Sequence, residues 1–165
     1  MISDKVIEKA VWTIRKFDNY DEYQLWLQGR MQPYETVEFQ GNLLLNEGIT
    51  RLQNLLTAGG GTAFSNAAAY LGVGNSSGSA GATQTGLSGS SEAYRPMEGG
   101  YPSIANQTTT WRSVFAGDQG NFSWQEFTVA NGSGNSAENL NRRVSDQGIK
   151  ASGTTWTLDL AITWS

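Results

Sequence analysis

The feature that most constrains the fold is a strict alternation of residue types at the C-terminal end of the chain. Over residues 155–164, large apolar side chains occupy every second position: Trp156, Leu158, Leu160, Ile162 and Trp164. The positions between them are mostly polar, with three threonines and one aspartate. Because successive side chains of a β-strand point to opposite faces, this pattern predicts a half-buried strand whose five large residues lie in a core.

Shorter runs rich in β-forming residues occur at 11–17, 34–39, 69–73, 109–115 and 121–130. In the last run, Phe122 and Trp124 have one parity and Phe127 has the other, so a β-bulge near residues 125–126 is needed to place all three in one core. Many short strands separated by turns indicate a mainly β fold, an antiparallel, jelly-roll-like β-sandwich with one short α-helix and an extended N-terminal arm.

The single helix is predicted at about residues 43–57. Its apolar residues recur at helical spacing as Leu45, Ile49, Leu52 and Leu56, Asn42 is a suitable N-cap, and Gly59–Gly61 would end it. We interpret it mainly as a helix packed on its own sheet, because single helices commonly cover sheets. The alternative is a helix that binds a partner.

Charge is unevenly distributed along the chain. Residues 1–51 carry 14 of the 26 charged side chains, and residues 52–91 carry none. This predicts two parts, an N-terminal arm over residues 1–40 with short strands and a β-sandwich body over residues 41–165. The arm holds the residues that we expect to contact a partner, with Trp26 as the first choice among the tryptophans: Trp12, Phe17, Trp26, Tyr34 and Phe39.

The composition excludes several kinds of chemistry. Without cysteine or histidine, the chain has no disulfides, thiolate metal sites or histidine general bases. A net charge of −4 with scattered basic residues argues against nucleic-acid binding, and the sequence has no apolar run of the ~20 residues needed to cross a membrane. We expect no metal and no cofactor. The acidic cluster at 18–22 is interpreted as a solvated turn rather than a cation site.

Other potential sites are weak. The glycine-rich stretch at 72–78 has one residue too many for a dinucleotide-binding fingerprint and leads into a loop. No pair of carboxylates stands out as an acid–base pair, so no catalytic residue is predicted, and an enzyme using Asp118, Glu126 and Asp146 is the least favoured hypothesis. Glu126 lies in an aromatic strand, where burial could raise its pKa; pairing with Arg142 or Arg143, or exposure to solvent, is favoured instead.

Several longer strings resemble a family of small virion structural proteins of tailed bacteriophages. They cover most of residues 40–165 in the same order: GNLLLNEG at 41–48, GTAFSNAAAYLGVGNSS at 61–77, NFSWQEFTVANGS at 121–133, NLNRRV at 139–144 and KASGTTWTLDLAITWS at 150–165. The resemblance implies a virion component made in the host cytoplasm, and it brings no catalytic residues.

Two placements in the virion follow from this resemblance. The favoured one is a capsid cement (decoration) protein, a homotrimer on the outer head that binds the major capsid protein through its body and arm. The alternative is a tail or fibre component that binds a host receptor or glycan through exposed loops and tryptophans. Neither placement requires nucleic acid or a membrane.

Overall fold

The computed structural model describes residues 8–165, which form ten strands and two helices. In chain order these are β1 (Glu8–Phe17), α1 (Tyr20–Leu27), β2 (Glu35–Gln40), β3 (Leu43–Leu44), α2 (Asn46–Leu56), β4 (Tyr70–Gly74), β5 (Glu92–Pro96), β6 (Ser103–Ala105), β7 (Thr108–Phe115), β8 (Glu126–Ala130), β9 (Asn141–Val144) and β10 (Thr155–Trp164).

The strands form two antiparallel five-stranded sheets. The first has the order β2-β1-β10-β7-β6 and the second the order β3-β9-β8-β4-β5. Large side chains from both sheets share one core, including Trp12, Leu160 and Trp111 from the first sheet and Leu71 and Phe127 from the second. The predicted mainly β fold, a β-sandwich, is therefore confirmed.

The closing strand has the predicted inner face but not the predicted outer one. Leu158, Leu160 and Ile162 are fully buried, Trp156 is nearly so, and Trp164 is partly buried against the core. The threonines at 155 and 157 on the opposite face are also fully buried. On that face a second cluster forms, in which α1 packs Tyr23 and Trp26 against Phe17 and Val114.

Residues 8–40 do not form an arm separate from the body, which corrects the prediction of an N-terminal arm ending at residue 40. Strand β1 lies between β2 and β10 and pairs with β10 over ten residues, from Glu8 opposite Trp164 to Phe17 opposite Thr155. The charges in this segment misled the prediction because they occur on a strand that is otherwise largely buried: Arg15 pairs with Asp159 on the outer face, and Lys16 pairs with Glu35 of the edge strand β2. Residues 1–7 of the predicted arm lie outside the described residues.

The segment predicted as a turn at 18–22 begins a second helix. Asn19 is its N-cap and accepts a hydrogen bond from the backbone N–H of Glu22 at 3.0 Å. The Glu22 carboxylate in turn accepts one from the backbone N–H of Asp18 at 3.0 Å. This reciprocal arrangement is close to a capping box, so the acidic residues fix a helix start rather than a solvated turn.

The one helix that was predicted, at about residues 43–57, starts later in the structure. Leu43 and Leu44 pair with β9 as the short strand β3, and α2 begins at Asn46 with Leu45 as its N-cap. Asn42 therefore does not cap the helix; its Oδ1 instead accepts a hydrogen bond from Asn141 Nδ2 at 2.7 Å.

In the run at 121–130 the regular strand β8 starts only at Glu126, near the predicted change of parity. Trp124 and Phe127 both lie in the core, and Phe122 packs partly buried against it.

Candidate functional site

An open apolar groove lies beside the C-terminal half of α2, and it is our candidate functional site. Its volume is about 480 Å³, which falls in the range of small-molecule and anchor-residue pockets. The lining residues come from α2, the following loop, strands β7 and β10 of the first sheet and the residue just before β9, and none of them carries a charge: Leu52, Leu55, Leu56, Phe64, Thr109, Trp111, Leu140 and Trp164.

The groove exists because α2 contacts the body closely at its first turn and only partly covers it at its last turn. Leu45 is fully buried, and its backbone N–H donates to the Leu140 carbonyl at 3.0 Å. A Cβ on Gly48 would lie 2.5 Å from Leu140 backbone atoms, so only glycine permits this approach. At the other end, Leu56 is 86% exposed.

Rigid contacts hold the base of the groove. Trp111 is almost fully buried, and its indole Nε1 donates to the Phe64 carbonyl at 3.0 Å. Its only polar atom is therefore satisfied, and the ring presents apolar surface. Since Leu140 is also buried and fixed to the first turn of α2, the base of the groove is preformed.

One flank of α2 is fixed by an ion pair. Arg51 binds both carboxylate oxygens of Glu138, with Nε to Oε2 at 2.7 Å. Its Nη1 also donates to the Gly60 carbonyl at 2.8 Å, and Asn131 Nδ2 donates to Glu138 at 2.6 Å. The Arg51 guanidinium is the main cause of a lowered Glu138 pKa. This network fixes the loop that follows the helix.

A fully buried ion pair organises the long loop at residues 75–91. Arg142 donates from Nε to Glu126 Oε2 at 2.8 Å, and both side chains are fully buried. The carboxylate also accepts the backbone N–H groups of Ser88 at 2.9 Å and Gly89 at 2.7 Å. Arg142 Nη1 reaches the Ser79 carbonyl at 3.1 Å. The predicted pairing of Glu126 with an arginine is confirmed, and the pair has a structural role.

Two glycines of the stretch at 72–78 are required by close side chains, one of them Glu126 of this ion pair. A Cβ on Gly74 would lie 2.3 Å from Glu126 Oε1, and one on Gly72 would lie 2.5 Å from the Tyr94 ring. Both glycines therefore make room for side chains of the neighbouring strands. They belong to strand β4, which agrees with the rejection of a phosphate-binding loop.

The residues predicted to contact a partner do not share one surface. Trp12 and Phe17 are fully buried and cannot reach a partner in this fold. Phe39 is partly buried, and its ring stacks on Trp12 with centroids 6.2 Å apart. Tyr34 is exposed on its own, and Trp26 is partly buried against Phe17.

Trp26 does form a distinct polar–aromatic patch on the outer face of the first sheet. The guanidinium carbons of Arg15 and Arg112 lie 5.2 and 5.3 Å from its ring centroid. Both arginines also bind the Asp159 carboxylate, at 3.0 and 2.6 Å. Next to them, Tyr23 donates its hydroxyl to Glu98 at 3.0 Å, and burial is the main cause that raises the Tyr23 pKa.

Several carboxylates of the body have structural partners. Glu126, Glu138 and Asp159 are paired with arginines, and Glu92 accepts from Asn135 at 2.9 Å. Within residues 8–165, no three acidic side chains converge in a way that could hold a metal ion. Neither helix in the described part of the chain is long and apolar enough to cross a membrane.

Comparisons with protein-family models, with curated proteins and with solved structures each found no match.

Sequence reasoning identified α2 but not the groove beside it. Leu52 and Leu56 were assigned to the buried stripe of the helix, whereas Leu56 is exposed and lines the groove. The available signal was the absence of charge from 52 to 91, which contains four of the eight lining residues. That signal indicates a surface that suits protein contact, but it does not locate a concavity.

Proposed function

We propose that this chain is a virion structural protein of a tailed bacteriophage, and in particular a capsid cement protein on the outer head. The resemblance of the strings over residues 41–165 to small virion proteins supports the general class. The observation that carries the placement is the preformed, uncharged groove beside α2. Interface centres are depleted in charge, and hot spots are anchor side chains that fill well-packed pockets.

The occupant of the groove is an uncharged apolar segment of the major capsid protein. A lining of leucine, phenylalanine and tryptophan without a charged group excludes a charged anchor, because its desolvation would not be compensated. The exposed Leu56 side chain at the rim would become buried on docking. Attachment therefore occurs through the body. Since β1 is an inner strand, removal of residues 1–40 would disrupt the fold instead of detaching an arm.

A pair of charge insertions tests the groove directly. Leu56→Asp places a charge at its rim at an 86% exposed position, so folding should be unaffected. Ile149→Asp is the matched control, since Ile149 is also exposed but does not line the groove. Heads lacking the protein are mixed with each variant and sedimented. We expect Leu56→Asp to weaken binding at least about tenfold, equivalent to ~1.4 kcal/mol, while Ile149→Asp binds like wild type. Equal binding by both variants would contradict the proposal.

The alternative, a tail or fibre component, is supported by the Trp26 patch, where the guanidiniums of Arg15 and Arg112 lie over an aromatic ring. Aromatic rings with flanking hydrogen-bond donors suit stacking on a sugar. Cryo-electron microscopy of whole virions, combined with the copy number per particle, separates the two placements. Hundreds of copies on the head, including trimers, support a cement protein, and a dozen or fewer copies on the tail support the alternative.

A further inference from the structure

Lys150 is a fully buried lysine whose amine donates its hydrogen bonds to uncharged oxygen atoms. Its Nζ donates to Asn121 Oδ1 at 2.8 Å and to the Gly117 carbonyl at 3.3 Å, and no ion pair to it is present among residues 8–165. Burial, only partly opposed by the charge of Asp118, lowers the pKa of Lys150 to about 8. A substantial fraction of this amine is therefore neutral, and so nucleophilic, at mildly alkaline pH.

The electrophile that faces this amine is the side-chain amide of Asn121. Since a C=O bond is about 1.2 Å long, the Nζ–Oδ1 distance places Lys150 Nζ no more than about 4 Å from Asn121 Cγ. Reacting atoms in a near-attack geometry lie about 3–3.5 Å apart, so a small rotation of either side chain is sufficient.

The backbone holds both reactants in place. The Lys150 backbone N–H donates to the Phe122 carbonyl at 3.1 Å, directly beside Asn121. On the other side, Gly153 N–H donates to the Gly117 carbonyl at 3.1 Å, and Trp124 Nε1 donates to the Gly120 carbonyl at 2.8 Å. Unactivated amides react slowly with amines, but such fixed intramolecular pairs reach effective concentrations of about 10⁵–10⁸ M.

We propose that Lys150 and Asn121 react with each other to form an intramolecular isopeptide bond. After loss of one proton from the ammonium, the Nζ lone pair attacks Cγ and forms a new C–N bond. The Cγ–Nδ2 bond then breaks, a proton from Nζ passes to the departing nitrogen, and ammonia leaves. Asn121 lies at the surface, so ammonia escapes directly into solvent.

The bond would give a chain without cysteines a covalent cross-link. It closes a loop between positions 29 residues apart, and such closure restricts the unfolded chain in the way that a disulfide does. It would also join the loop before Phe122 to the segment that leads into β10. The inference is independent of any position in a virion.

Intact mass spectrometry of the full chain tests the proposal without any substitution. The protein is purified and then incubated at about pH 9, where the neutral amine predominates. We expect a mass lower than that of the sequence by one ammonia molecule, and a proteolytic digest in which the peptides containing residues 121 and 150 are joined. A full mass with separate peptides after this incubation would overturn the proposal.

The variant Lys150→Arg distinguishes the isopeptide bond from a cyclic imide, which causes the same loss of mass. The sequence Asn131-Gly132 can form a cyclic imide, which also releases ammonia. Lys150→Arg keeps the positive charge but removes the primary amine, so it should show the full mass after identical treatment. Persistence of the ammonia loss in this variant would overturn the assignment. If this variant does not fold, the joined peptide of the wild-type protein remains the deciding observation.

Discussion

The two ends of α2 have opposite relations to the sandwich. At the first turn, Leu45 is fully buried and Gly48 touches the backbone of Leu140. At the last turn, Leu55 and Leu56 are exposed and line an open groove. One short helix therefore has a fixed end, which contributes stability, and a free end, which presents apolar surface. Because the side chains of Leu55 and Leu56 are not used in the core, this end is available to bind a partner.

Truncating one leucine at each end gives the largest expected difference. Leu45→Ala leaves a cavity in a fully buried position and should lower the free energy of unfolding by about 2–5 kcal/mol. Leu56→Ala removes an exposed side chain and should change it by less than about 0.5 kcal/mol. Urea denaturation of both variants measures the two values. Similar losses for the two would show that the helix ends are equivalent.

The next largest loss of stability is expected where α2 lies closest to the body. Gly48→Ala gains about 1 kcal/mol of helix propensity, but its Cβ would clash with the Leu140 backbone, and overpacking costs about 1–3 kcal/mol. We expect a net loss of about 1 kcal/mol, measured by denaturation. Gly99→Ala is the control, because nothing lies within 4 Å of a Cβ at that position. An increase in stability for Gly48→Ala would show that the helix can move away at no cost.

The strands were more predictable from the sequence than their surroundings. Alternation identified the inner face of β10 because burial on one side forces a period of two. It did not reveal the cover on the outer face, since Thr155 and Thr157 are polar and the covering helix α1 starts in an acidic segment. The spacing from Asn19 to Glu22 is a helix-start signal that was interpreted as a turn.

The arm was mispredicted for a related physical reason. Charge indicates exposure of the charged atoms, but alternate residues of the same strand can still be buried. In β1, Arg15 reaches Asp159 on the outer face while Trp12 and Ile14 fill the core. The groove could not be predicted, because it depends on how far one end of α2 stands from a sheet built from distant segments.

A smaller loss of stability is expected when the ion pair on the flank of α2 is removed. Arg51→Gln removes the ion pair with Glu138 and the hydrogen bond to the Gly60 carbonyl. The melting temperature should fall, by less than for Leu45→Ala, because ion pairs near the surface contribute little. The difference from wild type should shrink in high salt, where screening weakens the pair. Thermal melts at low and high salt measure this, and a difference independent of salt would assign the effect to packing instead.

The smallest effect is a pH dependence at the fixed end of α2. Burial raises the pKa of Glu47, although its Oε1 accepts the Asn139 backbone N–H at 2.8 Å. Because the folded state holds this proton to a higher pH than the unfolded state, the contribution of Glu47 to stability falls as the pH rises from its unfolded pKa through its folded pKa. Glu47→Gln keeps an oxygen acceptor and cannot ionise. The free energy of unfolding of this variant minus that of wild type should therefore be larger at pH 7 than at about pH 4. Urea denaturation of both proteins at both pH values measures this difference. An equal difference at the two pH values would mean that Glu47 ionises alike in both states, and that the first turn of α2 is less tightly packed against Asn139 and Leu140 than its contacts indicate.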